Sequence, residues 1–210
     1  MNIISHRGYW KSIDEKNTRE AFVRSFSMGF GTETDIRDLN GKLVVSHDVP
    51  SKEVMFFDDF CELYSLINPT LLIALNIKSD GLQELISEKL KQYQVKNYFL
   101  FDMSTPDLIQ TRNKKLNFYT RQSELEVSPI LYHEANGIWM DEFTIEWIKE
   151  EIIEEHINNG KKVCIVSSEL HQRDYFSQWA ICKKIDQRIK SDDLILCTDF
   201  PEKAKEFMND

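Results

Sequence analysis

The chain has 210 residues, 41% hydrophobic and 29% charged, which is the range of one globular domain able to bury its own core. Its formal net charge is −9, and Lys and Arg are nowhere gathered into a run, which excludes an electrostatic grip on nucleic acid or on an anionic membrane surface. The first residues lack the basic and apolar segments of a signal peptide and no later apolar run is long enough to span a bilayer, so the chain reads as cytoplasmic.

In chain order, short β-rich runs alternate with helical patterns. "NIISH" precedes "NTREAFVRSFSMG". "TETDI", continuing to "KLVVSH", precedes "FFDDFCELYSLI", and "TLLIALNIK" precedes "GLQELISEKLKQY". "NYFLFDM" leads to "TPDLIQTRNKK", "LNFYT" to the weakly periodic "SELEVSPILYHEA", and "GIWMDEF" to "TIEWIKEEIIEEHINNG". "KKVCIVSS" leads to "HQRDYFSQWAICKKIDQRIK", and "DLILCTD" to "EKAKEFM". Asn17 or Thr18 can cap the first helix, Pro106 suits the first turn of another, and Gly29 and Gly160 stand where helices should stop. The four cysteines lack CxxC spacing and read as thiols without a disulfide or zinc role.

Nearly continuous apolar strands and strict alternation with helices predict parallel strands covered on both faces. About eight such strands fit a compact (β/α)8 TIM barrel over residues 1–210 better than an open doubly wound sheet, with the region 32–48 split into two strands. In a barrel, strand ends carry the chemistry. His6 and Arg7 end the first strand, and His47 ends the "KLVVSH" run. Glu33 and Asp35 are two apart and share a face, as do Asn76 and Lys78. Two carboxylates in one pocket repel unless a cation lies between them, and oxygen ligands suit a hard divalent ion, Mg²⁺ or Ca²⁺. Imidazoles suit proton transfer near neutral pH, and Arg7 and Lys78 suit phosphate oxygens. Arg121, after "FYT", is a further candidate for a substrate anion, equally suited to ion pairing. Asp102 and Asp141 stand near other strand ends as reserve acidic groups. Trp139 and Trp179 read as packing residues.

At these residues the chain resembles the glycerophosphodiester phosphodiesterase family. The likeness rests on "HRG", "EKNTREAF", "ETD", "DLNGKLVVSHD" and "CTDFPEKA", in order from His6 to Pro201. It implies a TIM barrel that cleaves a small-molecule phosphodiester with the help of a divalent metal. By resemblance, His6 and His47 match the catalytic histidines, Arg7 a phosphate contact, Glu33 and Asp35 metal ligands, and Lys78 the lysine of an "EIK"-like stretch. Asn76 stands where that family generally has a third, acidic ligand, and Lys16 where it writes the Glu of "PENT". These two departures make the site less negative and keep open a second function, a weakened relative that binds a phosphorylated ligand or partner without turnover. An unrelated α/β enzyme with accidental matches is the third possibility. Which histidine is acid and which is base, the physiological substrate and the oligomeric state are not written in the sequence.

Overall fold

The computed structural model describes residues 1–50 and 53–210. They form two compact units, one of Ser5–Phe118 and one of Met1–Ile4 with Tyr119–Asp210.

The first unit is organised on β2 (Gly31–Leu39). Its leading half pairs in parallel with β5 (Ile73–Ile77) from Thr32↔Ile73 to Ile36↔Ile77, and β5 pairs in parallel with β6 (Tyr98–Phe101). The trailing half of β2 turns through Asn40-Gly41, both at positive φ as a two-residue hairpin turn requires, into antiparallel β3 (Lys42–Val45). β3 then pairs with the two-residue β4 (Met55–Phe56). Region 32–48 therefore gives one strand of the parallel set, β2, whose trailing half carries β3 as an antiparallel hairpin arm, rather than two barrel strands. His47 lies beyond the end of β3 instead of ending a barrel strand. With β1 (Asn2–His6) and the four strands of the second unit, the described residues form eight strands besides β3 and β4.

Helices α1 (Arg19–Ser27) and α2 (Phe57–Ile67) bury a shared aromatic cluster, in which Phe22 meets Phe60 edge-on at 4.8 Å and Phe26 meets Tyr64 at 5.7 Å. Thr18 is the cap of α1, accepting from the Ala21 N–H, which leaves Asn17 for another task. Gly8 sits at φ +80°, where a Cβ would lie 2.7 Å from that of Ala21 and 2.9 Å from the Ala21 carbonyl carbon. The glycine of "HRG" thus lets β1 turn hard against α1, with its N–H donated to Thr32 Oγ1 at 2.9 Å. Helices α3 (Gln83–Gln92) and α4 (Thr105–Asn113) follow β5 and β6, α4 with Ser104 as its cap and proline in its first turn.

The second unit is a parallel run of β7 (Tyr119–Gln122), β8 (Gly137–Met140), β9 (Lys162–Val166) and β10 (Leu194–Thr198). Its core sets Ile138, Met140, Val163, Ile165, Leu194 and Leu196 of the strands against helices α5 (Glu150–Asn158), α6 (Phe176–Ile189) and α7 (Pro201–Asn209). No helix lies between β7 and β8, where "SELEVSPILYHEA" makes turns. Helix α5 begins at Glu150, six residues after the start that periodicity predicts. The Glu142 carboxylate accepts the backbone N–H groups of Trp147 and Ile148, both at 2.8 Å, which holds "TIEWIK" out of helical geometry. Trp139 and Trp179 are buried packing residues, and all four cysteines are buried and outside any disulfide. Among the described residues no helix is long and apolar enough to cross a membrane.

Candidate active site

Strand β2 supplies the centre of the site in the first unit. Alternation along the strand puts Glu33 and Asp35 on one face, both fully buried, and the parallel register sets Ala74 beside Glu33 and Asn76 beside Asp35. Asp35 is the hub. Arg7 Nε approaches its Oδ2 at 3.0 Å, Lys78 Nζ its Oδ1 at 3.5 Å, and Asn17 donates Nδ2–H to Oδ2 at 2.8 Å. The Arg7 contact is ionic rather than hydrogen-bonded, because the Nε–H is not directed at the carboxylate. Arg7 also gives its backbone N–H to the Glu33 carbonyl at 3.0 Å and to Glu33 Oε2 at 3.2 Å. His6 Nε2 stands 4.0 Å from that same oxygen, close enough for charge attraction once the imidazole is protonated.

Three non-glycine residues of this site hold left-handed backbone: Arg7 at φ +59°, Asn17 at +61° and Asp102 at +64°. Such residues cost stability, and their gathering where charged side chains converge is typical of functional positions. Asn17 is fixed on three sides. Besides Asp35, its Oδ1 accepts the Thr34 hydroxyl at 2.9 Å, and its N–H meets the Arg7 carbonyl at 2.9 Å. It belongs to the site although its side chain suggests only a helix cap. The signal available in the sequence is the pairing of "HRG" with "KNT" ten residues on.

His47 joins from the hairpin. Arg37 Nε holds its carbonyl at 3.1 Å, and its Nδ1 pairs with Asp48 Oδ1 at 2.9 Å. It lines a cavity of about 630 Å³ together with Arg7, Asn17, Lys16, Arg19 and Ser46. The Lys16 ammonium lies 4.6 Å from the centre of the Trp10 ring, so the basic residue of "EKNT" stacks on an aromatic face. The remaining sequence candidates are in the second unit. Arg121 is ion-paired with Glu126 and lies over the Phe143 ring, while Asp141 holds His171 at 2.7 Å, an interaction that raises the histidine's pKa.

Burial, reinforced by repulsion from Asp35, pushes the Glu33 carboxyl up to about 8, against the pull of Arg7 and Lys78. The sign for stability follows directly. Between about pH 4.5 and about pH 8 the folded chain keeps a proton that the unfolded chain has released, so this residue makes stability fall as pH rises across that window. With chelator present, Glu33→Gln is expected to gain in thermal midpoint over the wild type on going from about pH 5 to about pH 8, as read by differential scanning calorimetry. A midpoint difference independent of pH would show that Glu33 is already ionised.

Among the described residues no three His, Cys, Asp or Glu side chains cluster as metal ligands. The oxygen set is nevertheless compatible with a hard divalent cation. Asp35 Oδ1 and Asn76 Oδ1 are buried with no hydrogen-bond partner, in register on neighbouring strands beside Glu33. Such a cation would also supply the positive charge that an ionised Glu33 lacks.

No family model matches the chain, and no curated protein matches it in sequence. Solved structures do. A candidate glycerophosphodiester phosphodiesterase from Galdieria sulphuraria superposes with a TM-score of 0.80 at 15% identity, over 100% of this chain and 98% of the other. An Oleispira antarctica phosphodiesterase in complex with the product sn-glycerol-3-phosphate gives 0.74 at 15% identity, over 100% and 97%. A glycerophosphodiester phosphodiesterase from Thermotoga maritima gives 0.66 at 20% identity, over 97% and 96%. The chain therefore has the (β/α)8 barrel fold that its alternation of strands and helices predicts, and it shares that fold along its whole length with phosphodiesterases.

Proposed function

We propose that the protein hydrolyses small-molecule phosphodiesters of the glycerophosphodiester class. The observation that carries this reading is the convergence of His6, Arg7, Glu33, Asp35 and Lys78 by direct contact within one unit, on a fold shared with phosphodiesterases. Fold alone would not suffice, since the same barrel hosts many reactions.

In this reading Arg7 and Lys78 hold the nonbridging phosphoryl oxygens. Both cations are partly exposed and both are steadied from below by the buried Asp35, so they present charge without having to reorganise. One histidine removes a proton from water or from a hydroxyl neighbouring the phosphate, and the other protonates the departing alkoxide. His47, on the cavity wall, and His6, beside Glu33, are the pair. Glu33, Asp35 and Asn76 would hold a divalent cation, Mg²⁺ or Ca²⁺, which when bound supplies Lewis-acid stabilisation of phosphoryl charge. The substrate's remaining groups would occupy the cavity beside Arg7 and His47, where Lys16 and Arg19 lie together with Asp14 and Asp48.

Asn76 supports one competing reading, a phosphate-binding relative without turnover. The two separate on one assay. Purified protein incubated with a glycerophosphodiester is expected to release glycerol phosphate, faster with Mg²⁺ or Ca²⁺ than with chelator. Calorimetric binding of the diester with no product in any condition would replace the hydrolase by the binding module.

A further inference from the structure

The charge of the candidate cation site points to a residue on a neighbouring strand. Even with Glu33 ionised, Glu33 and Asp35 carry two negative charges and Arg7 and Lys78 return two positive ones, so that set is no more than neutral. Asn76 adds an oxygen but no charge. A dication has little electrostatic reason to enter such a ring.

Strand β6 changes the sum. Asn76 is paired in register with Phe101, so Asp102 stands one residue past the end of that pairing. Its left-handed backbone, φ +64°, takes the chain out of the strand there, and its Oδ2 accepts the Asn76 Nδ2–H at 3.3 Å. With the amide nitrogen held, the opposite side of the amide is fixed as an oxygen. That oxygen, Asn76 Oδ1, is buried without a hydrogen-bond partner on a residue only 7% exposed, and Asp35 Oδ1 in the adjacent register position accepts no hydrogen bond, with only the Lys78 ammonium near it at 3.5 Å. Buried polar atoms are rarely left so, and the Asn76 oxygen, in register beside the Asp35 carboxylate, marks a place for a positive partner that the two can share.

We propose that Asp102, just past the end of β6, supplies the third negative charge of the cation site from behind Asn76, outside the set of ligand atoms. Asn76 then offers the neutral ligand oxygen and Asp102 the charge, and the two act as a unit that replaces one acidic ligand. The inference rests on the cation reading of Glu33 and Asp35 given above, and it concerns what the site holds rather than what it hydrolyses. It also accounts for the backbone cost at position 102, because a strand continued in extended geometry would carry the carboxylate away from Asn76.

Calorimetric titration of the whole chain with Mn²⁺ tests it, using Asp102→Asn. This variant keeps the oxygen that accepts from Asn76 and a residue type at ease in left-handed backbone, so it folds, and it removes only the charge. Its Mn²⁺ affinity is expected to fall about tenfold or more, with the thermal midpoint in chelator unchanged or raised. Asn76→Ala is expected to weaken Mn²⁺ to a similar degree by removing the ligand oxygen. An Asp102→Asn affinity within about twofold of the wild type overturns the proposal, leaving Asp102 as a hydrogen-bond acceptor only. A wild type that binds no Mn²⁺ overturns it too, and hydrolysis of bis(p-nitrophenyl) phosphate by that same protein in chelator would leave the hydrolase reading standing alone. Conversely, Asp102-dependent binding in a chain that hydrolyses nothing supports the cation site and removes the hydrolase.

Discussion

Asp35→Ala is expected to destabilise the protein by about 3 kcal/mol and to abolish hydrolysis, because it leaves two cations and an amide donor facing a buried vacancy. Arg7, Lys78 and Asn17 all direct positive or donor groups at this one carboxylate, which has no exposed surface. Breaking a buried charge pair commonly costs about 3 to 5 kcal/mol, most of it the penalty on the partner left behind. Two features hold the loss to the lower end. Arg7 and Lys78 each keep about a fifth of their side-chain surface in water, and Glu33, freed of repulsion from Asp35, can ionise and take up part of their charge. Asp35→Asn retains an oxygen for the Asn17 amide, so it should unfold at higher denaturant concentration than Asp35→Ala while being as inactive. Urea denaturation of the two variants, with the hydrolysis assay alongside, distinguishes this from a purely structural carboxylate, for which the asparagine variant would keep activity.

The second large effect concerns the histidines. His6→Ala and His47→Ala are each expected to lower kcat by about 10²- to 10⁴-fold, the usual contribution of a positioned acid or base. Their stability costs should differ. His47 has 45% of its side chain exposed and a single carboxylate partner at the surface, so its loss should change stability by less than about 0.5 kcal/mol. His6 is largely enclosed beside Glu33 and should cost more. Because the two serve one proton-transfer cycle, the double variant should be about as inactive as either single one rather than showing the product of both defects. Full activity in His47→Ala, where folding is not in question, would remove the two-histidine scheme.

Much of this site was legible because its chemistry is local. Glu33 and Asp35 share a face by strand alternation alone, and the parallel neighbour that brings Asn76 and Lys78 beside them follows from the same period. What period cannot give is how a chain leaves a strand. Arg7, Asn17 and Asp102 are aimed by left-handed backbone, which only glycine signals openly in a sequence, so Asn17 reads as a helix cap and Asp102 as a reserve acid. The hairpin at Asn40-Gly41 was equally decisive. Its turn signal is plain, yet it makes "KLVVSH" an antiparallel arm and moves His47 off the strand end. The delayed start of α5 has a different origin, a buried Glu142 that competes for the N–H groups a helix would use. A side chain twenty-five or more positions away can likewise claim a candidate group, as His171 does with Asp141.

The depth of the Asp35 hub also fixes how the protein should respond to ionic strength. Mobile ions screen charges they can surround, with a Debye length of about 10 Å at 0.1 M salt, and a carboxylate sealed beneath Arg7 and Lys78 is not one of them. Brine should leave the inner charge balance as it is in dilute buffer. Its influence falls on the encounter, where a molecule with a net charge of −9 repels an anionic ester at long range and attracts it only close to those two cations.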